Sequence, residues 1–382
     1  MSNPILLSSP LLEGNEKKYV EEVLQSPYIA AGGNFLERFE KAFTPMLDPH
    51  KLIALNSGTS AIHLALILLN VTEGDEVICQ SFTFCASANP IVYLGAKPIF
   101  VDSEEDTWNM CPVALEEAIK DRLKLGKKPK AIIVVDLFGL PAKYDELCAL
   151  SMKYEIPILE DAAESLGSSY KGKACGTFGE FGVFSFNGNK IISTGGGGAL
   201  VSENIDLLER GRYLSTQARE KVHYFEHHAV GYNYRMGTLP AAIGLAQLET
   251  LEQKISQRRS VFTNYQQMLG EFSEISFLTE PEHVFSNRWL TTIQIDSQVA
   301  GYDREDLRIA FEKEQIESRY LWKPLHLQMV FKDMPYYGTD KAEKIYEKGL
   351  CLPSSSHLTM EDQIRVVKVI AALHQKKASP NV

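Results

Sequence analysis

No apolar run in the chain approaches the roughly 20 residues that a membrane-spanning helix needs; stretches such as IHLALILL stop well short. There is no C-x-x-C pair. The six cysteines (79, 85, 111, 148, 175 and 351) are scattered, most of them in apolar segments such as EVICQ and DELCAL. That pattern excludes a zinc site or a disulfide framework and fits free thiols in a reducing compartment. Cations are outnumbered, with Lys+Arg 39 against Asp+Glu 49 and a formal net charge of −10. A polyanion would meet net repulsion, which argues against nucleic acid as a partner. The opening MSNPILLSSPLLEGNE lacks the basic n-region of a secretory leader. The expectation is a cytoplasmic protein without membrane contact.

What is present suits a well-folded globular chain. Of the 382 residues 45% are hydrophobic and 23% charged, with no low-complexity tract. This length exceeds one compact core and predicts two domains. GNEKKYVEEVLQS and NFLERFEKAF have the apolar spacing of amphipathic helices. From residue 51 to about 162, β-rich runs (LIAL, DEVIC, PIFVD, AIIVVDLFG, IPILED) alternate with helical patterns such as SAIHLALILL, VALEEAIKDRLK and YDELCALSMKYE. This alternation predicts βαβ units and a buried, mainly parallel sheet. A helical pattern from about Leu239 into the 260s predicts one long helix carrying the chain onward. The strands WLTTIQID and ESRYLW mix with later helices, giving a large α/β domain over 1–250, with an N-terminal helical arm, and a smaller α+β domain over 251–382.

Residues 184–201, FSFNGNKIISTGGGGALV, set Lys190 between an apolar run and four consecutive glycines. Alone, the stretch also fits a turn with a surface lysine. A phosphate-binding P-loop needs its lysine after the glycines and a helix next; here the lysine precedes them and a strand follows. Another use of a lysine is a Schiff base with a carbonyl, including the aldehyde of pyridoxal phosphate. That use makes demands on the rest of the chain. The pyridine nitrogen needs a carboxylate, and Asp161 ends the apolar strand of IPILEDAAES, where open parallel sheets bind ligands. The phosphate needs N–H groups and hydroxyls, and NSGTSAIHLAL supplies Gly58, Thr59 and Ser60 at a predicted helix start. Ser185 adds a hydroxyl five residues before the lysine. For stacking on the ring, QSFTFCAS offers Phe82 and Phe84 just past a strand. Each piece alone is commonplace; their ordered appearance at strand ends is what counts.

NSGTSAIHLAL, SFTFCASANP, LEDAAESLGS, GVFSFNGNKIISTGGGGALV, GYNYRM and KPLHLQ resemble the successive motifs of the DegT-type nucleotide-sugar aminotransferases, over nearly the whole chain. The resemblance implies the aspartate-aminotransferase fold (fold type I), a homodimer with shared active sites, and pyridoxal phosphate on Lys190. By the matching motifs, Asp161 would pair with the pyridinium nitrogen, Phe84 would stack on the ring, and Thr59, Ser60 and Ser185 would hold the phosphate. Glu164 falls near the ring hydroxyl, where many members have glutamine or histidine. Asn233 of GYNYRM would reach the neighbouring subunit's cofactor phosphate. No metal is implied.

One branch of that family has histidine in place of the lysine and removes a hydroxyl as a dehydratase; Lys190 puts this chain on the transaminating side. SFNGNKIIST, STQARE, SNRWLTT and LWKPLHLQ look most like enzymes that aminate C4 of UDP-4-keto-6-deoxy-N-acetylglucosamine from L-glutamate, toward bacillosamine-type sugars; GDP-perosamine synthases share much of the pattern. For the nucleotide diphosphate, Arg319, Trp322, Lys323 and His326 are the candidates, while Arg235 fits a structural ion pair equally. A non-catalytic sensor of sugar nucleotides is the rival from another class, and it would leave the cofactor residues without a purpose.

Overall fold

The computed structural model describes residues 3–30 and 33–378. Its centre is an eight-stranded sheet. Seven strands are β1 (Lys51–Leu55), β2 (Glu76–Gln80), β3 (Lys97–Val101), β4 (Ala131–Val135), β5 (Ile158–Asp161), β6 (Phe181–Ser185) and β7 (Gly198–Ser202). They lie in the order β1-β7-β6-β5-β4-β2-β3, and the short strand Tyr336–Tyr337 closes the β3 edge. All run parallel except β7, which is antiparallel to both β1 and β6. The central strands are buried on both faces, hence their unbroken apolar runs such as AIIVV.

Helix α1 (Gly58–Leu68) follows β1 and is apolar nearly all round, because it is enclosed between the sheet and outer helices. Its start is set by Ser57, whose hydroxyl accepts the Ser60 N–H at 3.0 Å. The glycines after Lys190 have distinct causes. Gly195 has φ +80, a backbone state that L side chains rarely adopt. A Cβ on Gly198 would stand 2.4 Å from the Gly58 nitrogen, so β7 can touch the start of α1 only without a side chain there.

Beyond the sheet, the pattern read as one helix from Leu239 is two, α2 (Thr238–Glu249) and α3 (Leu251–Met268). The break falls at Thr250, whose N–H and hydroxyl both turn to the Gln247 carbonyl. A β-branched residue bonding locally interrupts the helical ladder although the apolar pattern continues. A four-stranded antiparallel sheet follows, from β8 (Ile275–Phe277), β9 (Thr291–Ile295), β10 (Arg319–Tyr320) and β11 (Gly349–Leu352), in the order β8-β9-β11-β10. The helix Met360–Ala378 packs on α3 and on the helix Arg304–Lys313. Several connections tie the halves of the chain together, among them the Ile5–Ile316 bridge and the pairings of Tyr336–Tyr337 with β3 and of Val284–Phe285 with Ser169–Tyr170. Among the described residues no helix is long and apolar enough to cross a membrane.

Candidate active site

Alternation along β5 sends Glu160 and Asp161 to opposite faces of the sheet. Asp161 stands at the carboxyl end of β5, between β4 and β6. It is 4% exposed, and burial pushes its carboxyl above the ordinary value, against the opposing pull of the Ser87 hydrogen bond and then of the Lys190 charge. Ser87 Oγ donates to Oδ2 at 2.7 Å, whereas Oδ1 has only a 3.3 Å bond from the Ala163 N–H. An acceptor lone pair is therefore left for an incoming N–H.

Lys190 projects from the loop between β6 and β7. Its Nζ lies 3.3 Å from Glu164 Oε1 and 4.0 Å from the centre of the Trp289 indole. Glu164 is buried; burial raises its carboxyl, and the Lys190 charge and the Phe138 N–H, donating to Oε2 at 2.7 Å, act the other way. Phe138 can donate there because it adopts φ 54 in the turn after β4.

Thr59 and Ser60 begin α1. Ser60 Oγ donates to Asn56 Oδ1 at 2.7 Å, and Asn56 Nδ2 donates to the Asn233 carbonyl at 3.1 Å. The N–H groups of Gly58 and Thr59 are helix-start donors without an intrahelical partner. Ser185 ends β6 beside them: a Cβ on Gly58 would meet Ser185 Cβ at 3.2 Å. The structure thus brings Gly58, Thr59, Ser60 and Ser185 to one place. Asn233 follows by its backbone, with its side chain exposed.

The two phenylalanines part company. Phe82 is fully buried against Phe138, while Phe84 is 50% exposed with its ring 5.2 Å from Trp322. Trp322 also stacks on Phe138 at 6.3 Å and 10°, and its Nε1 is buried with no hydrogen-bond partner among the described residues. A cavity of about 140 Å³ is lined by Phe138, Asn189, Trp289, Arg319 and Trp322, among others. Arg319 is exposed and paired with Glu317 at 2.9 Å; Lys323 is exposed. His326 has both ring nitrogens engaged, with Ser81 at 2.7 Å and Glu343 at 3.2 Å, and stacks on Tyr336. Arg235 is structural in this chain, bonded at 2.5 Å to Glu40 and at 2.7 Å to the Ala54 carbonyl.

Sequence reasoning missed Ser87, Phe138 and Trp289. Ser87 lies in the quoted SFTFCASANP motif and could have been weighed as a donor; the contacts of Phe138 and Trp289 carry no local signal. The set fits a pyridoxal phosphate molecule. A buried carboxylate with a spare acceptor awaits a ring N–H, two helix-start N–H groups and the hydroxyls of Thr59, Ser60 and Ser185 suit a phosphate, and a half-exposed aromatic face stands nearby.

The model for the DegT/DnrJ/EryC1/StrS aminotransferase family matches residues 10–371. Among curated proteins, EpsN of Bacillus subtilis (strain 168), named as a pyridoxal phosphate-dependent aminotransferase, is 46% identical over 98% of this chain and 96% of its own. The GDP-perosamine synthase of Escherichia coli O157:H7 is 36% identical over 96% of this chain and 98% of its own. Among solved structures, a sugar aminotransferase from Streptococcus pneumoniae in its PMP form superposes with a TM-score of 0.90 at 27% identity, covering 99% of each chain; its PLP form matches as well.

Proposed function

Because the chain belongs to the DegT/DnrJ/EryC1/StrS aminotransferase family, we propose that it moves an amino group from L-glutamate to C4 of a nucleotide-linked 4-keto-6-deoxy sugar, first UDP-4-keto-6-deoxy-N-acetylglucosamine. The protein is a sugar aminotransferase of the aspartate-aminotransferase fold, and its cofactor is pyridoxal phosphate. The single observation supporting the residue assignments is the placement of Lys190 Nζ beside buried Glu164, with Asp161 on the neighbouring strand end.

When bound, the cofactor supplies an electron sink for the carbanion formed at the donor's Cα. Lys190 would hold the cofactor through Nζ, and the same amine, when free, would take the donor's Cα proton and return it, as general base and then acid. Asp161 Oδ1 would accept the ring N–H, and a cation there would favour the ionised carboxylate that burial alone opposes. Thr59, Ser60, Ser185 and the start of α1 would hold the phosphate, and Phe84 would cover one ring face. Glu164 meets the lysine and the ring hydroxyl's side of the site. In the second half-reaction the same Lys190 amine would move the proton in the opposite sense. We assign Arg319, Trp322, Lys323 and His326 to the sugar nucleotide; Arg319 and Trp322 line the small cavity beside Asn189, and His326, held between Ser81 and Glu343, would act through those partners rather than as a free cation. A homodimer completes the site, with the exposed Asn233 side chain reaching the partner's phosphate, and the enzyme works in the cytoplasm.

A second reading is favoured by the relatives named GDP-perosamine synthase: the acceptor is GDP-4-keto-6-deoxymannose. Spectra of the purified protein decide. A near-visible band lost on adding glutamate and restored by the UDP sugar alone supports the first reading; restoration by the GDP sugar alone supports the second. A band that persists in Lys190→Ala would overturn both.

A further inference from the structure

Arg258, on α3, is 2% exposed and has no carboxylate partner among the described residues. An unpaired buried cation is costly, and burial pulls this guanidinium down to about 9, so at neutral pH it still carries its charge. Its donors go elsewhere: Nη1 to the Trp289 carbonyl, Nη2 to Ser8 Oγ at 3.1 Å, and Nε to Ser356 Oγ at 3.3 Å.

Two of those partners converge on one atom. Ser8 Oγ donates to the Asn189 carbonyl at 2.7 Å, and the indole Nε1 of Trp289 donates to the same carbonyl at 2.7 Å. Asn189 directly precedes Lys190, and the Trp289 ring is the surface over which Lys190 Nζ lies. The residues that Arg258 grips therefore fix both the backbone carbonyl before the lysine and the aromatic face beneath its ammonium.

We propose that Arg258 is the positioning residue for Lys190: its planar fork locks Trp289 and Ser8 so that the lysine amine is held over the indole and beside Glu164. A guanidinium suits this task because its donors diverge in one plane toward separate chain segments. A lysine at 258 would supply the charge as a single point and leave one branch loose.

The inference rests on Lys190 being the working lysine, and its test separates the two. In cofactor-free protein, the rate at which Lys190 reacts with trinitrobenzenesulfonate is read by peptide mass spectrometry; that rate does not depend on any substrate. In the loaded protein, the pH midpoint of the near-visible band is followed. Arg258→Met is expected to speed Lys190 labelling severalfold and displace the midpoint, with Arg258→Lys recovering part of each. A merely structural arginine would lower the melting temperature and leave both readings unchanged in the folded variant, and that result would overturn the proposal. Should Arg258→Met not fold, Ser8→Ala decides, since it removes only the hydroxyl between Arg258 and Asn189. It is expected to move both readings in the same direction by less, and unchanged readings count against the proposal.

Discussion

The two faces of β5 present the same chemistry with opposite outcomes. Glu160, on one face, packs with Asp136, and both are buried. Every oxygen of that pair has a donor from the fold: Gly176 N–H at 2.5 Å and Phe178 N–H at 2.7 Å on Glu160, and on Asp136 the Tyr144 hydroxyl at 2.8 Å, the Ala142 N–H at 3.0 Å and the Ser165 hydroxyl at 2.8 Å. Asp161, on the other face, is buried too, yet one oxygen has only a long backbone bond. Burial raises all three carboxyls, and the charge of Asp136 raises Glu160 further. Burial alone does not mark a site; unused hydrogen-bonding capacity in a buried group does, since proteins satisfy nearly all such groups internally.

The largest test of that distinction is Asp161→Asn. An amide keeps the Ser87 contact but cannot balance a ring cation, so turnover is expected to fall by about 10²–10³-fold, the scale for losing one preorganised electrostatic partner. The melting temperature of the cofactor-free protein should hold or rise, because a buried charge has gone. A loss of turnover below about tenfold would place Asp161 with Glu160 as scaffold.

Glu160→Gln tests the other face. One backbone N–H would then meet an amide NH2 in place of an oxygen, at a cost of about 1–3 kcal/mol of stability, with the turnover of folded molecules unchanged. The pH dependence follows from the raised carboxyls. Because Glu160 is raised above the ordinary 4.5, its native carboxyl keeps a proton at pH values where the unfolded chain has released it, so stability falls as pH rises toward the native value. Melting temperatures measured across that window should decline in the wild type and flatten in Glu160→Gln. A variant with the wild-type slope would show that another carboxyl is responsible.

The same comparison explains what could be read from the sequence. Asp161 and Lys190 were legible because strand ends and glycine-flanked loops are local patterns, and Ser60 because a helix start after a strand is local too. The helix break at Thr250 was not, since the apolar pattern runs through it and only the turn of its N–H and hydroxyl to Gln247 interrupts the ladder. Nor was the donor on Asp161, a serine 74 residues away, or the indole under Lys190, 99 residues away in sequence. Whether a buried carboxylate is fully bonded depends on such distant partners, so Glu160 and Asp161, adjacent in the chain, could not be told apart before the fold was known.

Arg319→Gln gives the smallest stability effect and extends the distinction to cations. Arg258 is buried with its donors engaged, while Arg319 is 70% exposed at the side chain and, among the described residues, pairs with one acid, Glu317. An exposed pair of this kind contributes about 0–1 kcal/mol, so the melting temperature should barely move. If Arg319 meets the nucleotide diphosphate, its loss instead appears as a higher KM for the sugar nucleotide with kcat and the glutamate half-reaction unchanged, since the contact is equal in ground and transition states. A kcat change would move Arg319 into the proton-transfer machinery, and no change in either constant would leave it an ordinary surface residue. The separation of KM from kcat therefore does for an exposed cation what hydrogen-bond capacity does for a buried carboxylate: it distinguishes a group available to a ligand from one the fold already employs.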